Sequence, residues 1–330
     1  MDIDVIMLRL SIIIPMYNIE KYIGRCLASC ISQNINKEEY EILVIDDGST
    51  DNSVKIVQSF ISQINIVVIS QNNRGSSEAR NVGINNARGK YIWFVDGDDF
   101  IEPNCLFDVL YTVENNDLDI LAFGVKIAYD NKTSDYAILD NSKMMVLDGE
   151  TFLNKVKMPP ACWCVIFKTE YLKQQGLFFY PNIYYEDYEF IFRAYFLAKK
   201  VQRVNVNIYN YYQRTGSVMK AEGLDCKRSN DWLIVASNLN EFVKNKVENT
   251  NKCYYLFLNK ISFAFSQSIK FYQKDFFPTE RYKQCDFYPL SINNQLTLKE
   301  IIKYKIMNVS LSLYITIIKL YDKIRSDFFC

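Results

Sequence analysis

Apolar residues in this chain fall in short runs separated by polar segments, and the period within the runs changes in a regular order. Leu10-Ser11-Ile12-Ile13-Ile14 is almost uniformly apolar and stops at Pro15, the pattern of a strand buried on both faces. From about Ile19 to Gln33 the period lengthens, and Ile23, Leu27, Cys30 and Ile31 recur on one face, which predicts a helix. Tyr40-Glu41-Ile42-Leu43-Val44-Ile45 predicts a second strand, closed by the turn Asp46-Asp47-Gly48-Ser49-Thr50. Asp51 is placed to cap a helix running to about Ser62. A third strand is expected from Ile64 to Ser70, a helix from Ser76 to Ala87 and a fourth strand from Tyr91 to Val95. Apolar strands alternating with helices predict an α/β fold, a mainly parallel sheet with helices on both faces.

Beyond Ile101 the pattern loosens. A helix is expected near Asn104 to Glu114, a strand near Leu118 to Gly124 and polar turns from Asp130 to Ser142. Pro159-Pro160 marks a break, after which Ala161 to Phe167 is strand-like and Glu186 to Lys199 helical. Val201 to Tyr212 alternates as a long strand, and from about Ser229 the pattern is mostly helical. The boundary is therefore expected near residue 225, between a large α/β domain over 1–225 and a helical region over 226–330.

Composition narrows the chemistry. The 330 residues are 49% hydrophobic and 23% charged, as in a folded globular protein. Lys plus Arg equals Asp plus Glu at 38 each, so no positive field exists to gather nucleic acid, and nucleic acid is excluded as an expected partner. There is no His, so acid–base work falls to carboxylates, thiols, lysines or hydroxyls. Nine Cys without CxxC spacing, and no basic and apolar leader at the start, predict a reduced, cytoplasmic setting. Cys26 and Cys30 on a helix, and Cys162 and Cys164 alternating on a strand, are expected to be buried thiols.

Ligands of parallel sheets bind beyond the carboxyl ends of the strands. Three polar loops fall there: Pro15 to Asn18, Asp46 to Thr50, and Asp96 to Asp99. In Asp96-Gly97-Asp98-Asp99 several carboxylates share one tight turn, and a hard divalent cation, Mn²⁺ or Mg²⁺, relieves their repulsion while bridging substrate phosphates. A solvated acidic turn is the competing reading. A calcium loop of the EF-hand type is excluded, because its sixth and twelfth positions would be Ile101 and Phe107 instead of Gly and Glu. Neither GxGxxG nor a P-loop Lys follows the first strand, which disfavours dinucleotide oxidoreductases and nucleotidyltransferases.

Four motifs together carry a family resemblance: SIIIPMYN at 11–18, EILVIDDGSTDNS at 41–53, NRGSSEARNVG at 73–83 and YIWFVDGDDFIEP at 91–103. In order and spacing they resemble family 2 glycosyltransferases of the GT-A fold. A weaker second half resembles the acceptor side of bacterial capsular and exopolysaccharide members: Trp163, then GLFF at 176–179, YYEDYEF at 184–190 and YNYYQRTGS at 209–217. The resemblance implies a nucleotide-sugar half over 1–105, an acceptor-side half over 106–225, a nucleotide-sugar donor and a glycan or lipid-linked glycan acceptor.

The same resemblance implies roles for single residues. Tyr17, after Pro15, would stack on the nucleobase. Asp47, with Asp46 as the alternative and Ser49 beside them, would accept from the uracil edge. Arg80 would pair with the diphosphate or orient Asp96. Asp96 would contact ribose or the cation's water, Gly97 would leave room for the ligand, and Asp98 would ligate the cation. Arg214 and Ser217 would close over the diphosphate. Asp187 would be the catalytic base with Glu186 beside it, although both also suit a helix N-terminus. Trp163 would offer a sugar platform, a buried core ring being the rival reading. A degenerate chain that only binds sugar nucleotide is the non-enzyme alternative.

Leu296 to Ile324 is rich in Ile, Leu and Tyr with interspersed Lys, but thirteen residues between Lys305 and Lys319 are too few to span a bilayer. Two placements fit: packing within the helical region, or a peripheral membrane contact through 296–325 at the cytoplasmic face, with Lys303, Lys305, Lys319, Lys323 and Arg325 meeting headgroups.

Overall fold

The computed structural model describes residues 8–130, 132–135, 145–214, 225–271 and 279–328. In chain order the first unit contains β1 (Leu10–Met16), α1 (Ile23–Ile31), β2 (Tyr40–Asp46), α2 (Ser53–Gln58), β3 (Ile66–Ser70), α3 (Ser76–Asn86) and β4 (Tyr91–Phe94). Then come β5 (Phe100–Ile101), α4 (Leu106–Asn115), β6 (Ile120–Tyr129), β7 (Lys132–Asp135), α5 (Gly149–Lys155), β8 (Val165–Lys168), α6 (Thr169–Gln174), α7 (Glu186–Leu197) and β9 (Val201–Tyr212). The nine strands form one sheet in the order β3-β2-β1-β4-β8-β6-β9-β5, with β7 paired to β6.

The sheet is mixed: the expected first four strands are parallel, and β6 and β9 also pair in parallel. β3, β2, β1 and β4 pair in parallel, while β8 enters antiparallel between β4 and β6. Every residue of β2 is buried, as the unbroken apolar run requires of a central strand. Register brings the strand ends level: Met16 pairs with Asp46, Asp46 with Ser70, and Val95 N–H donates to Ile13 C=O. The loops after β1, β2, β3 and β4 therefore leave from one edge. Helix α3 lies flush on β1, since a Cβ on Gly83 would come within 2.3 Å of Ile13.

Several boundaries move for local reasons. The helix after Asp51 starts at Ser53, with Asp51 Oδ1 accepting from Ser53 N–H at 2.9 Å, and ends at Gln58. Ser59 and Phe60 donate to residues three back, which tightens the chain toward the 3₁₀ turn Ile61–Gln63. Cys162 and Cys164 do not alternate on a strand: residues 162–164 form a 3₁₀ turn, and pairing begins at Val165. Both thiols are nonetheless buried. Residues 132–135, expected in a polar turn, pair back on Lys126–Tyr129 as β7, and 136–142 lie outside the described residues.

A second compact unit comprises Ile183–Tyr185 with Val218–Cys330. It contains α8 (Asp225–Lys246), α9 (Tyr254–Phe271), α10 (Thr279–Lys283), α11 (Leu298–Val309) and α12 (Leu311–Phe328). Trp232, Val235, Ala236 and Leu239 of α8 and Phe257, Ile261, Ala264 and Phe265 of α9 are buried in its core. Ser229 and Ser268 bridge these helices: each hydroxyl donates to the other's carbonyl, at 2.8 and 2.6 Å, and Tyr282 Oη joins them.

Gly89 tests the closeness of this packing. A methyl there lands 2.4 Å from Leu10 C and 2.5 Å from Ser11 N, backbone atoms that cannot yield. Gly89→Ala should lower unfolding stability by about 1–3 kcal/mol in urea, the usual cost of overpacking. An unchanged midpoint would contradict the packing.

Candidate active site

The polar loops at the common edge are tied together by their own side chains. Pro15 lies past the last β1–β4 pair, Ile13 with Phe94, so its missing N–H leaves no gap between those strands. Asn18, in the left-handed region at φ 50, accepts from Thr50 N–H at 2.8 Å and donates its own N–H to Ser49 Oγ at 3.2 Å. Asp46 Oδ1 accepts from Ser49 N–H at 3.0 Å, closing the turn over Gly48, whose φ of 80 favours glycine. Tyr17 stands at this edge with 47% of its surface exposed. Asp46 and Asp47 are both buried, but they face different partners. Asp47 accepts from Gln71 Nε2 at 2.7 Å and Arg74 N–H at 2.8 Å on one oxygen, and from Gly75 N–H at 2.7 Å on the other.

That grip on Gly75 fixes the start of α3, and α3 carries the next layer of the site. Ser76 and Arg80 are four residues apart and so share a face. Both reach Glu186 Oε1, Ser76 Oγ at 2.8 Å and Arg80 Nη1 at 2.7 Å. Arg80 Nη2 donates to Asp96 Oδ1 at 2.8 Å, and Nη1 lies 3.7 Å from Asp187 Oδ1. The guanidinium is buried and stands over the Phe179 ring at 5.4 Å. Among the described residues Asp187 Oδ1 has no hydrogen-bond partner. Burial pushes the Asp187 carboxyl up to about 7, with Arg80 opposing and Glu186 and Asp96 adding to the rise.

The acidic turn is held from both sides. A Cβ on Gly97 would sit 2.3 Å from Ile19 Cδ1 and 3.2 Å from the Pro15 carbonyl, so the turn presses on the end of β1. Arg214 Nε donates to Asp98 Oδ2 at 2.5 Å. Arg25 Nη2 donates to the Asp98 carbonyl at 2.9 Å, with its guanidinium over Tyr212 at 3.8 Å and Phe100 at 4.7 Å. Asp99 is buried and accepts from Tyr209 Oη at 2.6 Å and Tyr212 N–H at 2.7 Å. Tyr209 Oη in turn accepts from Asp96 N–H at 3.1 Å. Burial raises the Asp98 and Asp99 carboxyls, and neighbouring aspartates raise them further.

The structure thus brings Arg80, Asp96, Glu186 and Asp187 into one cluster and Asp98 with Arg214 into a second, adjoining one. Tyr17, Asp46, Asp47 and Ser49 form a third group, joined to the first through Gly75 and α3. Trp163 is only 8% exposed, stacked on Tyr209 at 4.8 Å and Tyr211 at 5.5 Å, so its faces are largely covered. Ser217 lies outside the described residues. Sequence reasoning missed Ser76, Arg25, Tyr209 and Tyr212. The spacing of Ser76 from Arg80 was available as a signal, whereas Tyr209 and Tyr212 stood within the motif at 209–217 without a role of their own.

Asp96 and Asp98 could each offer a carboxylate oxygen to a divalent cation. Four carboxylates, Asp96, Asp98, Glu186 and Asp187, pair with two guanidiniums, Arg80 and Arg214, while Asp99 is held by Tyr209 and the Arg25 guanidinium sits at the Asp98 carbonyl. The surplus negative charge suits a cation. Arg80 and Arg214 each engage one oxygen of Asp96 and Asp98, whose side chains are both 26% exposed. Among the described residues no group of three or more His, Cys, Asp or Glu is arranged to hold a metal ion. Phosphate oxygens and water would complete the shell, as is usual for Mg²⁺.

Comparison with known proteins agrees with the geometry. Residues 11–176 match the family model described as glycosyl transferase family 2, and the chain belongs to that family. It is similar to the glycosyltransferase GlyG of Streptococcus pneumoniae, 30% identical over 64% of this chain and 73% of the relative. It is also 30% identical to the poly(ribitol-phosphate) β-N-acetylglucosaminyltransferase TarS of Staphylococcus aureus, over 62% of this chain but only 35% of that protein. The crystal structure of S. aureus TarS 1–349 in complex with UDP-GlcNAc superposes with a TM-score of 0.64 at 20% identity, covering 96% of this chain and 92% of the other. The fold is the mixed sheet of the GT-A class with added C-terminal helices.

Removing Arg80 should expose how much the site depends on it. Arg80→Ala leaves buried carboxylates facing one another and should lower stability by about 3–5 kcal/mol, the scale for breaking a buried ion pair. Chemical denaturation measures this, and a loss under about 1 kcal/mol would place the guanidinium in solvent rather than in the core.

Proposed function

We propose that this chain is an inverting glycosyltransferase. It moves a hexosyl or N-acetylhexosaminyl group from a nucleoside-diphosphate sugar, a UDP-sugar, to a hydroxyl of a glycan or lipid-linked glycan. Surface-polysaccharide assembly, such as that of a capsule, at the cytoplasmic face of the membrane is the setting this reading assigns. The observation that carries it is Asp187: a carboxylate whose Oδ1 makes no hydrogen bond among the described residues, raised by burial to about 7 and lying 3.7 Å from the Arg80 guanidinium that also holds Asp96 of the acidic turn. Binding of UDP-GlcNAc by TarS supports the donor class.

The residues divide the work. Tyr17 offers a ring face to the nucleobase, and Asp47, with its carboxylate fixed by three hydrogen bonds, accepts from the base edge. Asp46 and Ser49 hold that loop in shape, and Gly97, expected to leave room for the ligand, instead leaves room for Ile19 and the Pro15 carbonyl, which seats the acidic turn against the end of β1. Asp98 and Asp96 would hold Mn²⁺ or Mg²⁺, which supplies positive charge to the diphosphate. Arg214 stands beside Asp98 as a second cationic group for the phosphates. Asp187 takes the proton of the acceptor hydroxyl as that oxygen bonds to the anomeric carbon. The bond from that carbon to the diphosphate breaks on the opposite face, so one displacement inverts the centre. Glu186 keeps Arg80 in place between Asp96 and Asp187. Trp163 backs the acceptor side by bracing Tyr209 and Tyr211.

Asp187 Oδ1 makes no hydrogen bond among the described residues while lying 3.7 Å from the guanidinium that also holds Asp96, an arrangement that favours an enzyme over a binding or scaffolding chain. Asp187→Asn should slow turnover by roughly 10²- to 10⁴-fold, the scale for loss of a general base, while donor binding by thermal shift persists. Loss of donor binding in that variant would assign Asp187 to structure. The raised Asp187 pKa fixes the sign of the pH dependence: the base form fills as pH rises. kcat/KM should therefore climb about tenfold per unit below pH 7 and level off above it. A profile flat from pH 5 to 8 would remove Asp187 from the proton transfer.

A further inference from the structure

Helices α11 and α12 turn large apolar side chains outward. Leu298, Ile302 and Val309 of α11 are 73%, 51% and 82% exposed, and Leu313, Ile317 and Leu320 of α12 are 50%, 43% and 58% exposed. Leu298, Ile302, Lys305 and Val309 follow steps of four, three and four, so they form one stripe on α11. Leu313, Ile317 and Leu320 repeat the pattern on α12. The core takes different faces, through Tyr304, Met307 and Leu311, all buried. Single exposed apolar residues are ordinary, but ordered stripes on consecutive helices mark a surface that meets something apolar.

The same segment is cationic. Between Leu298 and Leu320 stand Lys299, Lys303, Lys305 and Lys319 against Glu300 alone. Glu300 is committed to its helix, accepting from Thr297 N–H at 2.8 Å and Thr297 Oγ1 at 2.7 Å. Lys299 and Lys305 are exposed, and Lys305 lies within the stripe. Lys303 is half-buried with Nζ donating to Ser266 Oγ at 2.6 Å. Burial, opposed by Glu300 and reinforced by Lys270 and Lys299, brings its pKa down to about 8. From Leu298 to Leu320 these helices therefore carry more positive than negative charge.

Charge and apolarity together choose the occupant. A second copy of this chain would press its own lysines against these, whereas an anionic bilayer offers an apolar boundary beside negative headgroups. Among the described residues no helix is long and apolar enough to cross a membrane, which leaves the interface. We propose that the stripes of α11 and α12 lie in the headgroup region of a membrane containing anionic lipid, with Lys299 and Lys305 at the phosphates. Long lysine stems can reach outward from an apolar surface in this way. The placement rests on these helices alone and not on the donor site.

Flotation of the full chain with phosphatidylcholine vesicles, with and without phosphatidylglycerol, tests it. The chain should float with the anionic vesicles, less so in high salt, and poorly with neutral ones. Leu313→Glu with Ile317→Glu should cut the floated fraction about tenfold or more, because both apolar contacts are replaced by like charge to the lipid. Lys299→Glu with Lys305→Glu should erase the preference for anionic vesicles. All four positions are exposed, so circular dichroism should stay unchanged, and a preserved thermal shift with donor would show the sugar-nucleotide site intact. Failure to float with phosphatidylglycerol, or unchanged flotation of both variants, overturns the proposal. So does a dimer in light scattering that Leu313→Glu with Ile317→Glu dissolves, since that assigns the face to a second copy.

Discussion

The site depends on one buried cation among too many anions. Among the described residues Arg80 is the only guanidinium linking Asp96 to Glu186 and Asp187, and its two terminal nitrogens are spent on separate carboxylates. A planar fork suits this because its donors point in fixed directions, which an ammonium cannot reproduce. The charge left over sets the chemistry. With Arg80 shared, Asp187 keeps its proton until near neutrality, and Asp96 keeps an oxygen for another positive group. One residue thus couples the proposed proton acceptor to the proposed cation site without touching either reacting bond.

Arg80 can do this because α3 is fixed at both ends of its first turns. Asp47 holds Arg74 and Gly75, Ser76 meets Glu186, and Gly83 lets the helix lie against β1. The base-binding loop and the catalytic cluster are consecutive parts of one mechanical path through residues 47 and 75–80. On the other side Tyr209 performs a similar service, joining Asp99, the Asp96 backbone and the Trp163 ring. The acidic turn is therefore clamped by protein groups before any ligand arrives, which reduces the reorganisation needed in a reaction.

Much of this was legible from the residues. Buried parallel strands announce themselves by unbroken apolar runs, and the four strands from Leu10 to Phe94 were placed within a residue or two. The dense motifs put Asp47, Arg80, Asp96 and Asp98 on the correct loops and helix. The second half was harder for a physical reason: its sheet is antiparallel and mixed, and β8 follows a 3₁₀ turn that carries the same apolar residues as a strand. Side-chain pairing was not legible at all. Nothing in the spacing shows that Asp46 closes its own turn while Asp47 grips residues 71–75, or that Trp163 is covered by tyrosines 46 and 48 positions later. The exposed stripe on α11 and α12 was visible as an amphipathic pattern, but its outward direction required the fold.

The most direct test of the account is donor profiling. The full chain is incubated with a panel of nucleotide sugars, with Mn²⁺ and with chelator, and nucleoside diphosphate release is followed alongside thermal stability. A UDP-sugar should stabilise the protein, and UDP should be released only when the divalent cation is present. Absence of stabilisation and of diphosphate release with every nucleotide sugar would contradict it.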